Sequence, residues 1–123
     1  RIVLYGNSLG CLSALYLSSK SRASGIYLRN PPPLVELISK RLRYNWWNFG
    51  MAQLIVKQIP DRLNPQKNAR QSQCPALLVQ SECDSLVPTR FQDLIADCYS
   101  GELKKIVLTE FVFFAVLVNS SQC

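Results

Sequence analysis

The stretch that most constrains this chain is its opening one, Arg1-Ile2-Val3-Leu4-Tyr5-Gly6-Asn7-Ser8-Leu9-Gly10. A short apolar, β-branched run stops at Gly6, and beyond Gly10 the apolar residues recur at Leu12, Leu15 and Tyr16, a helical spacing. Between this predicted strand and helix stands Ser8, two residues from a glycine on either side. A serine on so sharp a turn is expected in a strained backbone region, which persists only where its surroundings enforce it. The residues two before and two after it then approach closely, so side chains there must be minimal, and glycine has none. Such a turn lifts the Ser8 hydroxyl clear of the sheet and aims the Leu9 N–H, at a helix N-terminus, toward a developing oxyanion. The same residues also fit a glycine-rich βα turn with an incidental serine.

Further along, Gly25 to Arg29 reads as a second short strand, ended by Asn30-Pro31-Pro32-Pro33, a rigid exit loop that can neither donate to a ladder nor sit inside a helix. The spacing of Leu34, Ile38 and Leu42 predicts an amphipathic helix, and Trp46 to Ile59 a further one stopped by Pro60. Asp61 to Gln73 is polar and without periodicity, which predicts a loop. Pro75 to Ser81 is a near-continuous apolar run, as expected of a strand buried on both faces of a parallel sheet. Thr89 and Gln92 fit a capping box for a helix lined by Phe91, Leu94, Ile95, Cys98 and Tyr99, with Gly101 at its C′ position. Glu102 to Leu108 reads as another strand. Successive strand–helix–strand units predict an α/β fold with a mostly parallel sheet, helices on its faces and right-handed crossovers.

After the strand that ends at Ser81 comes Glu82-Cys83-Asp84-Ser85-Leu86-Val87-Pro88. Asp84 lies just past the C-terminal end of a buried strand, where sites in open α/β sheets collect. Read alone, it is a turn aspartate capping its own loop, and Glu82 is a weaker competitor for any chemical role. Together, Gly6-Asn7-Ser8-Leu9-Gly10 and the D-x-x-V-P phrase from Asp84 to Pro88 resemble the nucleophile elbow and acid loop of the α/β-hydrolase family, in the family's order of serine before acid. The resemblance covers about Arg1 to Leu108. It implies a three-layer α/β domain, seen here as a truncated one, that cleaves esters, thioesters or peptide and amide bonds of a small-molecule acyl substrate through an acyl-enzyme, with no cofactor and no metal. Ser8 would be the nucleophile, the Leu9 N–H an oxyanion-hole donor, Gly6 and Gly10 the elbow glycines, and Asp84 the acid that orients a histidine.

That histidine is missing, because the chain contains none. The family places it after the next strand, whereas here Leu108 leads into the apolar Phe111 to Val118 and then Asn119 to Cys123. The family's first strands and its second oxyanion donor precede the elbow strand, and Arg1 runs directly into that strand. The expectation is a fragment: a partial hydrolase domain over 1–110, with 30–73 a lid-like insertion, and an atypical tail over 111–123. Such a piece would expose the elbow strand as an edge, fold marginally and lack triad catalysis of its own. The alternative is a pseudo-hydrolase that binds a ligand or a protein through its aromatic and basic segment, Lys40 to Lys57.

Charge and cysteines narrow the setting. Seven basic residues between Lys40 and Gln73, against Asp61 alone, account for the whole formal charge of +6. Interleaved with Tyr44, Trp46, Trp47 and Phe49 they invite a nucleic-acid reading, but no nucleic-acid motif accompanies them, and a solvated helical face fits them better. Five cysteines, none in a C-x-x-C pair and with no histidine to complete a mixed zinc site, argue for reduced thiols in a cytoplasmic protein. Cys11 and Cys98 fall at apolar helical positions, as small core residues do. No run reaches the roughly 18 apolar residues of a membrane span.

Overall fold

The alternation read from the sequence folds as strand and helix in turn. A computed structural model describes residues 1–42, 54, 57–82, 84 and 87–109. Its strands are β1 (Val3–Asn7), β2 (Gly25–Arg29), β3 (Ala76–Ser81) and β4 (Leu103–Leu108). Its helices are α1 (Gly10–Lys20), α2 (Leu34–Leu42), α3 (Pro65–Gln71) and α4 (Thr89–Ala96), with a 3-10 turn at Asp61–Leu63. The four strands form one sheet in the order β1-β2-β3-β4, and every pair is parallel. All four therefore end on the same rim, where the segments after β1 and β3 emerge.

Strand alternation decides what the sheet buries. Ile26 pairs with Ala76 and Leu28 with Leu78, so these four side chains share one pleat face. Onto that face α1 lays Cys11, Ala14 and Leu15, spaced for one helical stripe, while α3 adds Ala69 and α4 adds Ile95. Leu15, Leu28 and Leu78 are sealed from solvent, and each is worth about 2–5 kcal/mol against truncation to alanine. The α1 stripe continues into polar ground at Ser18, whose hydroxyl meets that of Ser72 at 2.6 Å in a buried seam beside α3. Four parallel strands with flanking helices make a truncated three-layer α/β pattern. The helical layer formed by α1, α3 and α4 is in place, and the opposite pleat face is bared at Val3 and Tyr5, with Tyr5 stacked on Tyr27 at 5.0 Å. An open groove of about 380 Å³ runs over that face between Val3, Tyr27, Leu77 and Lys104.

Three expectations are corrected. The segment Asp61 to Gln73 is largely helical: Asn64 caps α3 by accepting the Lys67 N–H at 3.0 Å, and Pro65 takes the first turn, where its missing N–H costs nothing. The capping box at Thr89 does not form, because Thr89 is already helical, Pro88 holds the cap position and no side chain caps the end. Gly101 lies well past Asp97, which closes α4, and it has no left-handed φ. A Cβ there would sit 2.8 Å from the carbonyl oxygens of Gln73 and Cys74, so glycine is needed for close approach. The three prolines after Asn30 carry no regular structure, as a rigid exit loop requires, and they are buried.

Among the described residues β1 pairs only with β2, which makes it an edge that exposes Ile2, Val3 and Tyr5. Trp46 and Trp47, the tail 111–123, Cys83, Cys123 and most of Lys40 to Lys57 lie outside the described residues.

Candidate active site

The rim at the strand ends is where the two sequence-selected side chains emerge. Ser8 follows β1 with φ 51°, left-handed backbone that a non-glycine residue adopts only when it is held there. Its holders are on both sides. The Ser8 N–H donates to the Arg29 carbonyl at the end of β2 at 2.8 Å, and the Ser8 carbonyl accepts the Cys11 N–H at 3.0 Å as α1 begins. The side chain is left at the surface.

Gly6 shows why the turn needs a residue without a side chain. A Cβ there would lie 2.7 Å from Cys11 Cα, 2.9 Å from Cys11 N and 3.0 Å from the Gly10 carbonyl oxygen. Strand and helix backbones touch at that point. Gly10 differs from the expectation: a Cβ built on it meets nothing within 4 Å, so close approach does not explain it. Leu9 caps α1 with helical dihedrals and makes no side-chain cap, and its side chain is exposed. The N–H of Leu9 stands at the positive end of the α1 dipole, next to the Ser8 hydroxyl along the chain.

Cys11, three residues on, is the other nucleophilic side chain near the turn. Its thiol is sealed from solvent and donates to the Arg29 carbonyl at 3.3 Å. Burial pushes it up from 9.0 to about 12, against the smaller opposing effect of that bond. A buried neutral thiol is inert, whereas the Ser8 side chain is exposed.

Asp84 lies on the same rim, past β3, with β2 between it and Ser8. Two strand spacings put the β1 and β3 backbones about 10 Å apart. Asp84 is half-buried; its N–H donates to the Ser81 carbonyl at 3.2 Å, and its Oδ1 accepts the Val87 N–H at 3.0 Å. The aspartate thus closes its own loop, as the plain turn reading expects. Glu82 is exposed. Among the described residues no three His, Cys, Asp or Glu side chains gather as a metal site, and no helix is long and apolar enough to cross a membrane.

Two residues of this rim hold places that the sequence reading did not give them. Gln92, fully buried, sends its Nε2 back to the Val87 carbonyl at 2.7 Å and so ties the far end of the Asp84 loop to α4. Asn30, 6% exposed with φ 47°, ties the near end: its Oδ1 accepts the Ser81 N–H at 2.8 Å and its Nδ2 donates to Ser81 Oγ at 3.2 Å. An asparagine closing a strand is a signal for left-handed backbone. Its partner, 51 residues away, is not legible from one sequence.

No family model matches the chain, and no curated protein matches it. Solved structures do. An acetyl xylan esterase from Paenibacillus sp. R4 superposes with a TM-score of 0.70 at 13% identity over 98% of this chain and 43% of its own. Acetyl xylan esterase 1 from Thermoanaerobacterium sp. JW/SL YS485 gives 0.67 at 11% identity over 98% and 44%. The acylaminoacyl peptidase of Pyrococcus horikoshii gives 0.61 at 16% identity over 90% of this chain and 19% of its own. The chain spans under half the length of each of these proteins. Such likeness speaks for backbone architecture, and the architecture these structures share with the chain is part of the α/β-hydrolase fold.

Proposed function

We propose that this chain is the nucleophile-bearing portion of a serine hydrolase of the α/β-hydrolase type, acting on a small-molecule ester, thioester, amide or peptide. The observation that carries the reading is Ser8 at φ 51° on the strand-to-helix turn, with Gly6 pressed against the first turn of α1. In this reading Ser8 Oγ attacks the acyl carbon as an imidazole takes its proton, and the carbonyl electrons move to an oxyanion facing the Leu9 N–H. The tetrahedral adduct collapses, the leaving group departs with the proton from the imidazolium, and water then releases the acid by the same steps. Asp84 orients the imidazole and stays ionised. The 123 residues contain no histidine, so the imidazole has to come from outside them. The chain alone is expected to be inactive.

The segment 30–73 is proposed as lid-like chiefly over Leu34 to Ile59, since α3 packs on α1. A cytoplasmic setting is supported by the free thiols of Cys11, Cys74 and Cys98. Neither a cofactor nor a nucleic acid enters the proposed reaction.

The test is labelling with a fluorophosphonate probe, comparing this chain, the full-length product of the gene and its Ser8→Ala variant. Labelling of the full-length protein alone, abolished by Ser8→Ala, supports the hydrolase. A folded full-length protein that does not label refutes it and leaves a pseudo-hydrolase binding a ligand or protein. Labelling of Ser8 in this chain by itself refutes the requirement for an outside imidazole.

A further inference from the structure

The geometry points to Asn30 as a positioning residue that sets the Ser8 turn and the Asp84 loop relative to one another. This rests on the hydrolase reading above and adds a residue to its machinery. The peptide unit joining Arg29 to Asn30 is the centre of the arrangement. On one side its carbonyl accepts the Ser8 N–H at 2.8 Å, and on the other its N–H donates to the Val79 carbonyl of β3 at 2.9 Å. A peptide unit is planar and resists twisting, so the nucleophile turn and β3 are bonded to one rigid plate. The Asn30 side chain then reaches one step further along β3 and occupies both the N–H and the hydroxyl of Ser81. The remaining backbone group of Ser81, its carbonyl, accepts the Asp84 N–H at 3.2 Å. Ser8 and Asp84 are thus joined through hydrogen bonds centred on one buried asparagine, with no contact between them required.

The backbone conformation fits that task. A left-handed φ of 47° at the end of β2 turns the chain off the strand and lets the Asn30 side chain reach Ser81. Asparagine tolerates this region better than any other side chain that carries both an amide donor and an acceptor on so short a stem. In the resting fold the clamp also gives the Ser81 N–H its acceptor, which the backbone bond from Asn30 to Val79 does not supply. What the clamp adds is a fixed relation between the strand ends that bear the two reacting side chains.

The experiment uses the full-length gene product with Asn30→Gly and Asn30→Asp. Glycine keeps the left-handed backbone and all backbone bonds while removing the amide, and aspartate restores the Oδ1 acceptor for the Ser81 N–H. The expected result is a drop on the order of 10- to 100-fold in the fluorophosphonate inactivation rate at saturating probe for Asn30→Gly, the loss that misplacement by about 1 Å brings. The half-saturating probe concentration stays at the parent's value, the thermal midpoint falls but leaves the protein folded at the assay temperature, and Asn30→Asp recovers most of the rate. An Asn30→Gly protein that labels at the parent rate overturns the inference, as does a loss that follows the thermal midpoint and that aspartate does not mend. If the parent itself does not label, the hydrolase reading has failed, and amide hydrogen exchange in this chain decides the clamp separately. Exchange at Ser8 and Asp84 that quickens together about tenfold in Asn30→Gly, with Leu78 unchanged, upholds it, and unchanged exchange at both refutes it.

Discussion

Replacing Gly6 with alanine puts a methyl carbon 2.7 Å from Cys11 Cα, where carbon atoms at rest stand about 3.5–4.0 Å apart. The neighbours cannot step aside as a side chain would, because all three of the nearest atoms, Cys11 Cα, Cys11 N and the Gly10 carbonyl oxygen, are backbone of the first turn of α1. Relief therefore means moving the start of α1 away from β1 by about 1 Å. That motion pulls on the Cys11 N–H bond to the Ser8 carbonyl and loosens Cys11 from the core. Overpacking of this kind costs about 2–3 kcal/mol. In urea, with a slope of about 2 kcal/mol per molar, the unfolding midpoint falls by roughly 1 M.

Gly10→Ala is the matched control. It adds the same methyl on the other side of Ser8, but into space with no atom within 4 Å, at the first residue of a helix. Alanine is the better helix former by up to about 1 kcal/mol, so the midpoint is expected to hold or rise. Unfolding followed by circular dichroism for parent, Gly6→Ala and Gly10→Ala gives the comparison directly. A Gly6→Ala protein that unfolds with the parent, or a Gly10→Ala protein that loses as much as Gly6→Ala, would refute the reading of a turn closed against α1 on one side only.

Titration supplies two further expectations. The Cys11 thiol is held neutral by burial, so its contribution to stability is complete below its unfolded value near 9.0 and is lost as pH rises toward about 12. The stability gap between parent and Cys11→Ala is expected to narrow between pH 8 and 11, and native alkylation followed by mass spectrometry should modify Cys74 and Cys98 before Cys11; a constant gap, or early alkylation of Cys11, counts against the assignment. Asp93 has its carboxyl held below the ordinary value first by the hydrogen bond from Lys105 and then by that from Gln80. Its stabilisation is present above pH 4 and fades as pH falls through the lowered folded value, and because the pair is well exposed Lys105→Ala should cost under about 1 kcal/mol at neutral pH and nothing once Asp93 is protonated. A cost that persists at pH 2 would assign the effect to packing instead.

How much of this was legible in the sequence depended on whether the information was local. Strand, turn and helix around Ser8 were legible because the glycine, the β-branched run and the change of period all fall within one short stretch. The same holds for β3, whose apolar run announces burial on both faces. The segment from Asp61 to Gln73 was not legible as helix, because α3 packs with a small residue, Ala69, and with the hydrogen-bonded polar side chains Asn68 and Ser72 in place of an apolar stripe. Local chemistry also misled where tertiary contacts took over. Thr89 and Gln92 have the spacing of a capping box, yet Gln92 is drawn inward to Val87, and Gly101 answers to the carbonyl oxygens of Gln73 and Cys74 and not to α4. At the rim, Ser8 and Asp84 were singled out from their own neighbours, whereas Asn30 bonds to Ser81, and pairings of that range leave no trace in a single chain.

The two rims of the sheet that run along its strands are chemically unlike. On β4, Lys104 and Lys105 place a positive charge on each pleat in turn beside the exposed Ile106 and Val107, with Lys105 paired to Asp93. On β1 the exposed side chains near the start are Ile2, Val3 and Tyr5, with no acid or base between them. Lysines on an edge discourage a further strand from docking, and an uncharged apolar edge does not. Among the described residues, the β1 edge is therefore the one without lysines to discourage a further strand.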